Sequence, residues 1–128
     1  MTLNEFRSQL ESYRRAVDVE AASLKDSYLA LERLENLYLS FDTEERRLAD
    51  QVLSEWVSSD DVNVRFDALY LVRRFRISLA APALRGLAER LRSSTLPGAP
   101  DELEKVERIL HELVQNLADM EDGRQRSH

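Results

Sequence analysis

The sequence predicts an all-α chain of about six helices in antiparallel pairs. Three observations lead there. The 128 residues include only 3 Gly and 3 Pro, too little punctuation for many strands and tight turns. Leu, Ala, Glu and Arg dominate, and all four favour helix. Apolar residues recur at three- and four-residue spacing along almost the whole length. The length suits one domain, expected over 1–120, with a polar, flexible tail at 121–128.

Helix 1 is expected over 3–18. Thr2 with Glu5 reads as a capping box, and Leu3, Phe6, Leu10, Tyr13 and Val17 form a narrow stripe. Asp18 to Ser23 is read as a turn. Helix 2 follows over 23–41, with Leu24, Leu31, Leu34, Leu37, Tyr38 and Phe41 on one face and Leu29 furthest from it. Asp42 with Glu45 caps helix 3, which runs to about Val57 and buries Leu48, Val52, Leu53, Trp56 and Val57.

Helix 4, about 61–76, is apolar over more than half its circumference: Val64, Phe66, Ala68, Leu69, Leu71, Val72 and Phe75. Such a helix is buried on two sides. Asn63, Asp67, Tyr70 and Arg74 form its polar strip. Helix 5 starts near Pro82, a good first-turn residue, and runs to about Leu91. Gly86 within it is costly unless it permits close helix approach. The segment 93–100 is a loop. Asp101 is expected to cap helix 6, with an apolar stripe from Leu103 through Val114 to Met120.

Arg65 projects into the apolar arc of helix 4, where an unpaired charge is expensive. Asp61 stands four residues before it and Asp60 lies in the turn, so both are candidate partners for the guanidinium. Together Leu53, Asp60-Asp61, Val64-Arg65, Ala68 and Leu71 or Val72 resemble a HEAT repeat over about 44–92. The resemblance implies a right-handed stack of helix pairs, with the arginine answering an aspartate across the turn. The alternative is an irregular helical bundle. Asp60, Asp61 and Arg65 are therefore expected to be structural, and Asp61→Ala to destabilise more than Arg65→Met.

Net charge is −6, unevenly spread. Residues 1–64 carry 7 basic and 14 acidic groups, 65–92 carry 7 basic and 2 acidic, and 93–128 carry 4 basic and 8 acidic. The absence of Cys rules out disulfides and thiolate metal sites and permits a reducing cytoplasm, the expected location. No apolar run approaches a membrane span, and Met1 to Glu5 does not resemble the start of a secretory signal. Glu104, Glu107 and His111 share one side of helix 6, but no second Glu-x-x-His exists to complete a metal centre. Glu44-Glu45 and Asp60-Asp61 suit helix caps better than an acid–base pair. No phosphate loop or nucleophile arrangement is present, so neither an enzyme nor a cofactor is expected.

The leading expectation is a non-enzymatic protein–protein interaction module, of the kind a bacterial immunity or antitoxin-type protein uses to mask a basic partner. The outward strips of helices 2, 4 and 6 supply its candidate contacts: Leu29, Glu32 and Asn36; Asp67, Tyr70 and Arg74; Glu107 and His111. The alternative is a nucleic-acid-binding helical repeat using the arginines of 65–92, a role the acidic pI opposes. The narrow stripe of helix 1 also suits a homodimer seam.

Overall fold

The computed structural model describes the backbone of residues 1–126 and the side chains up to Gln115. Six α-helices and one 3-10 turn make up the described chain, with no strand among the described residues. The chain divides into two compact units, 1–53 and 54–128.

The first unit holds α1 (Leu3–Leu24), α2 (Leu29–Ser40) and most of α3 (Thr43–Val57). The Thr2 side chain accepts from the Glu5 amide at 3.1 Å, fixing the start of α1. The helix does not stop at Asp18. With no Gly or Pro between Asp18 and Ser23, nothing breaks it, and it runs to Leu24. It ends where Lys25 turns left-handed at φ 52° and donates back to Ala21 and Ala22. Leu24 thus belongs to α1, and α2 starts six residues later than expected, at Leu29 rather than 23.

α1 packs on α2. Val17, Ala21 and Ala30 form a buried cluster, with Tyr13 and Leu29 against it. Phe6, Leu10 and Val17 are buried, so the narrow stripe of α1 is covered and is not available as a homodimer seam. Phe6 meets Phe41 edge-on at 5.3 Å. Asp42 and Glu45 form the expected reciprocal cap, each side chain accepting from the other's amide at 2.8 and 3.0 Å. The Tyr38 hydroxyl donates to Asp50 at 2.8 Å. Burial raises the Asp50 carboxyl above its usual range, and burial with the Asp50 bond raises the Tyr38 phenol.

The second unit holds the end of α3, then α4 (Val62–Phe75), the 3-10 turn Ser78–Ala80, α5 (Ala81–Arg92) and α6 (Ala99–Arg126). α6 packs on both α4 and α5. Ala68, Leu69, Leu71 and Val72 of α4, Leu84, Leu87 and Ala88 of α5, and Val106, Ile109 and Leu113 of α6 form its buried face.

Several details differ from the sequence expectation. Phe66 is 47% exposed, although the helical wheel places it within the apolar arc. Val114 is exposed too, beyond the buried stripe of α6. α6 begins at Ala99, two residues before Asp101, with Pro100 in its first turn. Among the described residues a Cβ at Gly86 would meet nothing within 4 Å, so none of their helices makes a close approach there. The helix continues past Met120 to Arg126. The side chains of Leu117 and Met120, and those of the tail expected at 121–128, lie outside the described residues.

Candidate functional site: a cleft beside an exposed stripe of α4

Arg65 lies in the opening turns of α4, within the second unit. Its Nε and Nη2 donate to Glu102 at 3.0 and 2.7 Å, and Nη1 donates to the carbonyls of Ser59 and Asp60. The two side chains are only 12% and 15% exposed. The Glu102 bonds raise the arginine's pKa further above its ordinary value, against the opposing effect of burial.

The guanidinium therefore lies inward, but its carboxylate partner comes from α6, thirty-seven residues on. The Asp60 carboxylate instead accepts from Arg90 at 3.0 Å. The Asp61 carboxylate caps α4 by accepting from the amides of Asn63 and Val64. The aspartate–arginine clasp implied by the repeat resemblance is thus distributed over three different partnerships.

Above the Arg65–Glu102 pair lies a cleft of about 840 Å³. Its walls come from the first half of α4, the end of α5, the loop before α6 and the first turns of α6. Apolar side chains line most of it, including Phe66, Leu69, Leu87 and Leu96. Lys105 stands over the Phe66 ring, 4.4 Å from its centroid. The site lies entirely within the second unit.

Two residues of the cleft wall, Val62 and Phe66, also begin an exposed stripe along α4. Val62, Phe66 and Tyr70 are 57%, 47% and 37% exposed, each four residues after the last. Arg74, one further turn along, is exposed over the Phe75 ring.

The expected contact residues distribute as follows. In the first unit, Glu32 and Asn36 are exposed, but Leu29 packs against the Val17 cluster. Leu29 is therefore corrected to a half-buried position: with α1 extended to Leu24 it stands at the start of α2, against the Val17 cluster. In the second unit, Tyr70, Arg74, Glu107 and His111 are exposed. Asp67 is only 7% exposed and is corrected to a buried residue, so it cannot belong to an outward strip. Glu107 is held by Arg92 at 3.1 Å.

The arginine-rich segment is largely engaged. Arg73 pairs with Glu112, Arg90 with Asp60, and Arg92 with both Glu89 and Glu107. Phe66 and Val62 are the surface residues that sequence reasoning missed. The apolarity of Phe66 argued for burial, Val62 was not singled out, and only their i, i+4 register with Tyr70 hinted at a shared outer stripe.

Among the described residues there is no cluster of three side chains fit to hold a metal, and no helix long and apolar enough to cross a membrane. No family model, curated protein or solved structure matches this chain.

Proposed function

We propose that this chain is a non-enzymatic protein-interaction module that engages its partner through the outer stripe of α4. The observation carrying this reading is the exposure of Val62, Phe66 and Tyr70 at successive i, i+4 positions, with Arg74 following. Aromatic side chains beside an arginine match the composition of binding hot spots. Leaving two aromatics and a valine in water on one helix costs solubility unless something covers them.

The net charge of −6 steers encounters toward a cationic partner. The biological form proposed is masking of a basic protein, as an immunity or antitoxin-type protein does. The architecture assumed is the HEAT-like right-handed stack. The α1–α2 and α5–α6 packing supports it, although Arg65 at the opening of α4 takes its carboxylate from α6 rather than from the turn aspartates. Cysteine-free composition suits a reducing cytoplasm.

The test is to co-purify the tagged chain with its partner from native cells, identify that partner, and measure affinities with purified components. Phe66→Ser with Tyr70→Ala is expected to weaken binding at least about ten-fold, the usual size of a hot-spot loss. Glu32→Ala with Asn36→Ala should leave it nearly unchanged. An unaltered affinity in the Phe66/Tyr70 variant, with an unaltered thermal melt, would reject the stripe.

A further inference from the structure

The cations bordering the second unit's cleft are answered unequally. Arg65 donates to Glu102 and two carbonyls, and Arg90 donates to Asp60 and the Ser58 carbonyl. Neither has a charge to offer a ligand without breaking those bonds. Lys105 is different: its described interaction is with the face of Phe66, and among the described residues it makes no ion pair. A π-face satisfies an ammonium less fully than a carboxylate does.

The acids are also unequal. Glu102 and Asp60 are committed to their arginines. Asp101 lines the cleft one turn before Lys105, in the first turn of α6, where the helix dipole already offsets its charge. The cleft thus presents one incompletely neutralised cation at the edge of an apolar wall.

Size selects the occupant. From Val62 to Leu69 the α4 wall is two turns, roughly 10 Å at about 1.5 Å per residue. A partner helix of ordinary length, about 11 residues and so about 17 Å, would overhang both ends. The volume of about 840 Å³ lies within the range of single-ligand sites.

We infer that this cleft binds a small amphipathic carboxylate, an aliphatic or aryl-alkyl acid. Its apolar part lies against Phe66, Leu69 and Leu96. Its carboxylate takes the Lys105 ammonium from the ring face. The site shares Val62 and Phe66 with the proposed α4 protein surface, but its test reads a head-group preference carried by Lys105, which that surface does not use.

The probe is decanoate, titrated below its micellar concentration into the full chain by calorimetry, with decanol and decyltrimethylammonium as tail-matched controls. Decanoate is expected to bind saturably at one site, about ten-fold tighter than either control, the worth of one charge-assisted contact. Lys105→Gln should abolish that head-group preference and Lys105→Arg should restore it. Asp101→Asn should tighten decanoate by removing the neighbouring negative charge. Thermal melts establish that each variant is folded.

Equal affinity for the three head groups, or a preference surviving in Lys105→Gln, would overturn the assignment. So would non-saturable uptake of all three. Binding of an acidic, leucine-rich peptide that decanoate fails to displace would equally overturn it, in favour of a protein segment.

Discussion

Arg65 illustrates how a single charge organises a local surface. Its side chain enters the apolar side of α4, where an unanswered guanidinium is costly, and it is answered by a bidentate carboxylate from α6 and two turn carbonyls. The vulnerable partner is therefore Glu102 rather than Asp61. Glu102→Ala should cost about 3 kcal/mol, because it leaves a nearly buried cation with only carbonyl partners. Asp61→Ala removes a helix cap and should cost about 1 kcal/mol. Replacing both members of the pair, Arg65→Met with Glu102→Leu, should recover most of the loss, since well-packed apolar groups match a buried pair in stability. Urea melts of the three variants give the order. Asp61→Ala as the most damaging change would return the clasp to the turn.

At the level of elements, two left-handed residues and one glycine stand in each other's natural places. Lys25 and Arg76 end α1 and α4 at φ 52° and 53°, a region that disfavours side chains with a Cβ. Gly86 occupies a helical position where a Cβ meets open space. Lys25→Gly and Arg76→Gly should each stabilise by roughly 0.5–1 kcal/mol through relief of the αL penalty. Gly86→Ala should do the same through helix propensity and a less flexible unfolded chain. Thermal denaturation checks all three, and a loss at Gly86 would mean that something does approach it. These positions also mark what the sequence could and could not tell. Caps built on side chains, Thr2 and Asp42 with Glu45, are legible because the capping atom belongs to the named residue. The helix end made by Lys25 is not, because the αL turn is a backbone event that the residue type does not advertise, whereas the end of α4 at Arg76 falls where the sequence places it. The same gap displaced Leu29: with α1 running through Asp18 to Leu24, Leu29 is half-buried against the Val17 cluster instead of facing outward. Asp67 and Phe66 failed for a different reason. A helical wheel ranks positions by angle, whereas burial depends on which neighbour reaches them, and here the acid is covered and the phenylalanine is not.

Across the whole molecule, charge is segregated along the chain yet partly cancelled in space. The basic segment 65–92 could in principle track a phosphate backbone, but Arg65, Arg73, Arg90 and Arg92 each hold a carboxylate already. Arg74, Arg76 and Arg85 are exposed too, but three cations release few counterions, and affinity for nucleic acid scales with the number of phosphates neutralised. A phosphate would have to displace Glu112, Asp60 or Glu107 while approaching a chain of net charge −6. Duplex DNA at physiological salt is therefore expected to bind no tighter than about 0.1 mM, the weak limit of non-specific contacts. The joint replacement Arg73→Gln, Arg90→Gln and Arg92→Gln should leave that value unchanged. The same variant should lower the melting temperature by at most a few degrees, because the four ion pairs it removes are about half-exposed or more, and such surface pairs stabilise little. Fluorescence anisotropy with a labelled duplex, read across a salt series, measures the first effect, and calorimetry measures the second. Saturable, salt-sensitive DNA binding lost in the triple variant would show that these arginines exchange carboxylates for phosphates, and the nucleic-acid reading would then displace the protein-binding one.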